Sequence, residues 1–430
     1  MMNMKTLFTA AILLISTCVW AQIPSPGEMP TKAIVLMGGT AHLGNGEVME
    51  NAVIGIENGK ITFVKPTGSV KLNPETAYII DVKGKHVYPG FISPNNTLGL
   101  TEVSAVRATR DFAETGLFNP EVRALTSFNT DSRISPTVRS NGVLITQATP
   151  RSGRICGTSA VMHLDGWNWE DAALKADDGI HVNWPNRFKR TGWWAEPGPT
   201  KANDQYDEQR DELGAFLKRA KAYSESTALE FNQKMDACKG LFDGTQNFYL
   251  HVNDAKGIME SVLFAESVGV KKPVVVGANE AWLVVDFLSS KNIPVILERT
   301  HSLPSNADDD IDQPYKTAKA LSDNKITFCF DYAGDMEAMG SRNLPFAAGT
   351  AVAYGLKYEE AVKALTLNAA NILGIGDICG SLESGKDATL FVSNGDALDA
   401  LTNDVTHAFI QGRPTDLDNP QKYLYRKYKK

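Results

Sequence analysis

The sequence predicts an α/β protein: a (β/α)8 TIM-type barrel with a small composite β-sandwich domain formed by both chain ends. Three observations carry this expectation. The middle of the chain alternates short apolar strands with helical patterns, the signature of a parallel sheet. Both ends are rich in short strands punctuated by Gly and Asn turns. The 430 residues are 43% hydrophobic, enough for one large core and a smaller one, and the repeat spacing favours a closed barrel over an open sheet.

Residues 1–21 read as a secretory signal. Lys5 supplies the positive start, Leu7 to Ile15 are largely apolar, and Val19-Trp20-Ala21 precedes a mature start at Gln22. The apolar stretch is too short for a stable anchor, and no later segment is apolar enough to span a membrane. A secreted, periplasmic protein without a transmembrane anchor is expected. The formal charge of −7 becomes −8 once Lys5, the only charge in the signal, is removed. A mildly acidic surface argues against nucleic acid as a partner. Cys156, Cys238, Cys329 and Cys379 then remain; without a Cys-x-x-Cys pair they signal neither a zinc site nor a disulfide framework.

Residues 22–89 form the first part of the predicted sandwich, with strands at Ala33 to Leu36, Ala52 to Ile56 and Lys60 to Val64, the last two joined by Asn58-Gly59. The barrel is expected over 90–379. Its strand candidates are His86 to Ile92, Gly142 to Ala148, Phe248 to Val252, Pro273 to Val276, Ile293 to Leu297 and Thr327 to Asp331. Helical patterns run over about Gln205 to Lys239, Ala255 to Ser267, Ala281 to Ser290 and Glu359 to Leu373. Residues 380–430 return to the sandwich and end in a basic, aromatic tail, Lys422 to Tyr428, expected as a terminal helix whose aromatic side packs on the body.

Three segments carry a family resemblance: Val87-Tyr88-Pro89-Gly90-Phe91-Ile92, Ala361 to Ala370, and Gly380-Ser381-Leu382-Glu383-Ser384-Gly385-Lys386-Asp387-Ala388-Thr389-Leu390. With them the chain resembles the amidohydrolase superfamily, specifically its imidazolonepropionase-like and dipeptidase-like branch, over nearly its whole mature length. The resemblance implies a metal-bearing barrel that hydrolyses amide or cyclic amide C–N bonds. In such enzymes a divalent metal, zinc first, activates water, held by a His-x-His on strand 1, histidines after strands 5 and 6, and a strand 8 aspartate that is also the general base.

The match to that pattern is partial. Asn95 and Thr97 stand where the His-x-His belongs, and neutral oxygens are weak zinc ligands beside imidazole. His251 fits the strand 5 histidine, whereas Gly277 to Trp282 contains none. Asp331 is the candidate base and, with His251, the candidate metal ligand; Asp335 is the reserve. His163, His181 and His301 are weaker candidates, while His42, His86 and His407 fall away from the expected site. Arg107, Arg110 and Arg151 lie on segments that follow strands, where loops converge over a barrel's site. They are candidate substrate-binding residues, a clamp for the carboxylate of a peptide or N-acyl amino acid. Two functions follow: a hydrolase with a reduced metal site, or a non-catalytic relative that binds a ligand or supports an active paralogue as partner subunit.

Overall fold

The computed structural model describes residues 26–71, 73–193, 195–226 and 230–429, so the predicted signal lies outside the described residues. Strands from both ends share one eight-stranded sheet. Its centre is Ala33–His42, antiparallel to Val48–Glu57 and parallel to Ala77–Asp81 and His86–Pro89. His86–Pro89 in turn pairs with Leu390–Ser393 from the far end of the chain. Leu36, Ile54, Ile61, Val87, Leu390 and Phe409 pack into one apolar cluster across this junction. The expected turn at Asn58-Gly59 has both residues at positive φ, 50° and 80°, the backbone that a two-residue hairpin needs.

The second sheet is a nearly closed barrel of eight strands: Phe91–Asn96, Val143–Ala148, Ile155–His163, Ala173–Asn183, Asn247–Val252, Pro273–Gly277, Val295–Leu297 and Phe328–Phe330. From the fourth strand onward every pairing is parallel, and helices such as Ala255–Val268 and Gln313–Asp323 fill the crossovers. The first half departs from the regular pattern. The third strand is antiparallel to both neighbours, because residues 149–154 are too few for the dozen or so that a parallel crossover requires.

Several expected elements need correction. The strand expected over His86 to Ile92 is two, His86–Pro89 in the first sheet and Phe91–Asn96 in the barrel. The helix expected over Glu359 to Leu373 breaks at Thr366. The helix expected over Gln205 to Lys239 ends at Ser224 and resumes in two short pieces, Gln233–Asp236 and Lys239–Asp243. Asn232 starts the first of these by accepting a hydrogen bond from the Met235 N–H, the action of an N-cap. The tail is a helix, Pro420–Tyr428, but Tyr423, Leu424, Tyr425 and Tyr428 are exposed. It is tied down at its start instead, where Asn419 donates to Ser140 and Thr137 donates to Gln421. Among the described residues no helix is long and apolar enough to cross a membrane.

Side-chain alternation along the strands defines the barrel's interior. Ile92, Ile145, Val161, Tyr249, Val276, Ile296 and Cys329 pack together as one cluster, the filled lumen expected of a small barrel. Phe91, Leu144, Leu250, Val275, Val295 and Phe330 belong to a separate cluster that includes the helices. Two residues beyond their lumen-facing neighbours, the same alternation turns Gln147, His251, Glu298 and Asp331 into the C-terminal mouth.

Candidate functional site

Asn95 is the centre of the mouth. It sits at the end of the first barrel strand with φ +48°, a left-handed conformation that Asn tolerates better than most residues. Its N–H donates to Gln147 Oε1 at 2.8 Å and its Nδ2 donates to Asp331 Oδ2 at 2.7 Å. Arg151, just past the second strand, donates from Nη1 to Asn95 Oδ1 at 2.5 Å and from Nη2 to the Asn95 carbonyl at 2.6 Å. The same guanidinium donates from Nε and Nη2 to the two carboxylate oxygens of Glu337, each at 3.1 Å. Asn95 and Asp331 are buried, which strengthens these bonds relative to water.

Asp331 also accepts from the Ala333 N–H at 3.1 Å. Burial, helped by the like charge of Glu298, pushes its carboxyl up to about 8, so it holds a proton at neutral pH. Glu298, at the end of the seventh strand, is itself raised by burial while the side chains of Asn279 and Asn253 hydrogen-bond it. It lines a cavity with Asn279, Trp282, Leu303 and Pro304.

Opposite the arginine stand two imidazoles. His181 Nδ1 and His251 Nε2 lie 2.8 Å apart, and the His181 ring stacks on Tyr249 at 4.3 Å. Burial followed by the nearby Arg151 charge holds His251 down to about 3. Burial, then His251, then Arg151 pushes His181 well below its ordinary value. Both rings are neutral, sharing one N–H in a donor–acceptor pair. Beneath them Asp178 is fully buried and accepts from Gln147 at 2.7 Å, Tyr249 at 2.5 Å and Lys175 at 2.8 Å.

The structure thus brings together three of the residues singled out in the sequence: His251, Asp331 and Arg151. Arg107 and Arg110 are exposed on the long segment after the first strand, the first in a short 3-10 helix and the second 6.0 Å from the Phe112 ring. His163 is buried opposite Ile145, toward the other end of the barrel, and His301 bonds Thr350. Sequence reasoning missed Gln147, Glu298 and Glu337 and gave His181 too little weight. For Gln147 and Glu298 the signal was present: each follows a lumen-facing Ile by two positions on a strand.

The polar side chains gathered at the C-terminal ends of the strands put the candidate site on the face where barrel enzymes carry theirs. A family model described as the amidohydrolase family matches residues 205–415. A stretch of 88 residues is 36% identical to imidazolonepropionase of Thermoplasma volcanium, covering 20% of this chain and 21% of that relative. An amidohydrolase structure from Thermotoga maritima superposes with a TM-score of 0.77 at 22% identity, over 89% of this chain and 99% of that one. A Xaa-Pro dipeptidase with methionine bound in its active site superposes with a TM-score of 0.54 at 14% identity, over 90% of this chain and 100% of that one. At these identities the structural likeness is one of fold. The family match over residues 205–415, the short matching relative and the shared fold support the amidohydrolase superfamily for this chain.

Members of that superfamily work with a divalent metal, and the residues present here do not fit its centre. Asn95 offers an N–H donor toward Asp331, and its one free oxygen is taken by a guanidinium cation. Among the described residues no group of three or more His, Cys, Asp or Glu side chains is arranged to hold an ion.

Proposed function

We propose that the mouth of this barrel takes an amide- or peptide-like ligand that bears a carboxylate, and does so without the metal-dependent hydrolysis of the superfamily. On this reading the protein is a ligand-binding relative, or a partner subunit of an active paralogue, in the compartment reached by the secretory signal. The two-ended sheet is then the superfamily's small sandwich domain. The observation that carries the reading is the closed chain Glu337–Arg151–Asn95–Asp331, in which a fixed guanidinium charge stands against the residue that replaces the first metal-binding histidine. A guanidinium binds a carboxylate in two parallel hydrogen bonds, and a dipeptidase among the similar folds makes a peptide-like ligand the natural class.

A second reading is favoured by His181 and His251, neutral and 2.8 Å apart: a hydrolase of C–N bonds with a single, atypical ion. Elemental analysis of the mature protein, purified without chelator and again after incubation with zinc, separates the two. Absence of metal in both preparations supports the first reading. Near-stoichiometric metal that disappears in His251→Ala overturns it in favour of the second.

A further inference from the structure

The Arg151 guanidinium makes four hydrogen bonds, and its two partners differ in kind. The contacts to Asn95 tie it to the barrel wall, at 2.5 and 2.6 Å. The contacts to Glu337 are longer, 3.1 Å each, and come from the segment after the last strand. That segment crosses the mouth and is built with conformational stress. Gly334 has φ +108°, and a Cβ there would stand 2.6 Å from Arg299 Nη2. Met336 has φ +55° without being glycine, and it is 65% exposed. A non-glycine left-handed residue costs free energy that its surroundings must offset. What this backbone delivers is one carboxylate, Glu337, set two-pronged on the guanidinium with its side chain only 12% exposed.

We propose that Glu337 is an internal plug: a resident carboxylate that occupies the Arg151 receptor and is displaced by the carboxylate of an incoming ligand. This rests on the reading of the mouth as a ligand site and names the group by which the ligand is recognised. A tethered competitor acts through its effective concentration, in the millimolar range or above for a short tether. An external carboxylate therefore meets a receptor that is free for only a small fraction of the time, and its apparent affinity falls by that fraction. The fixed contacts to Asn95 keep the guanidinium aimed at the mouth after Glu337 leaves, so the receptor survives its own opening.

The test uses acetate, the smallest carboxylate, as probe on the mature protein. Thermal shift and calorimetric titration are run on wild type, Glu337→Ala and Glu337→Ala/Arg151→Met, with acetamide as the uncharged control. The plug predicts acetate binding at least tenfold tighter in Glu337→Ala than in wild type. It also predicts loss of that gain in the double variant, and no comparable response to acetamide. Where Glu337→Ala does not fold, Glu337→Gln keeps the volume and removes the charge, with the same expected direction. A folded single variant that ignores acetate, or that answers acetamide equally, overturns the proposal. Metal content fails or supports the metal-free reading separately, because the acetate response does not depend on an ion.

Discussion

The two halves of this barrel are built differently, and the chemistry follows the division. The second half, from Asn247 to Phe330, is regular: parallel strands, helical crossovers, and lumen positions held by Val276, Ile296 and Cys329. The family match over residues 205–415 includes this half. The first half trades a crossover for an antiparallel strand and, beside the apolar Ile92, Ile145 and Val161, buries the polar groups Gln147, Asp178 and His181. Asn95 and Arg151, which set the character of the mouth, also come from this half. A regular half keeps the fold, and an irregular half is where the site can change without undoing it.

The sharpest way to break that contrast is at Asp178. Its carboxylate is fully buried and gathers hydrogen bonds from Gln147, Tyr249 and Lys175, drawing on the second, fourth and fifth strands. Asp178→Ala leaves the buried Tyr249 hydroxyl without an acceptor and removes the counter-charge of Lys175, which keeps only the Leu373 carbonyl. Breaking such a buried pair costs about 3–5 kcal/mol, and urea unfolding should register a loss of that order. A loss below about 1 kcal/mol would mean that this network does not hold the first half together.

Reading the two halves from sequence succeeded unequally, for a physical reason. Runs such as Pro273 to Val276 and Ile293 to Leu297 are short, apolar and bounded by turns, so their strands and registers were legible. The family resemblance then singled out His251 and Asp331 at the ends of two such strands. Ile155–His163 mixes Gly, Thr and Ser with apolar residues, and no local pattern distinguishes an antiparallel insertion from a loop. Glu337 was not legible at all. Its role depends on a backbone turn that delivers it to an arginine 186 positions earlier, and a contact of that range leaves no periodic trace in the chain.

A second test, of intermediate size, sets the last strand against the fifth through pH. Asp331, pushed up to about 8, keeps a proton that an unfolded aspartic acid has lost above roughly pH 4. The unfolded chain binds fewer protons across that window, so stability falls as pH rises through it. His251, held down to about 3, acts in the opposite sense. Its unfolded imidazole is protonated below about pH 6.5 while the folded one is not, so its contribution rises with pH over that range. Of these two only Asp331 titrates between about pH 6.5 and 8, where it should remove about 2 kcal/mol at 1.36 kcal/mol per unit. In Asp331→Asn the urea midpoint should be flat across that interval. An unchanged downward slope in the variant would assign the pH dependence to another group.

The smallest effect should come from the arginines that lie outside the constellation. Arg107 and Arg110 sit on the same segment after the first strand as other charged residues, which made them candidates for a carboxylate clamp, yet both are exposed. Truncating an exposed side chain away from a cap or network typically changes stability by less than about 0.5 kcal/mol. A charge in open water is also screened within about 10 Å at moderate salt. Arg107→Ala and Arg110→Ala should therefore leave the unfolding midpoint within that bound. In a Glu337→Ala background they should leave acetate affinity within about twofold, where Arg151→Met abolishes the gain. A tenfold loss from either exposed arginine would show that the segment after the first strand folds over the ligand. The irregular half would then recognise the carboxylate with a loop as well as with its wall.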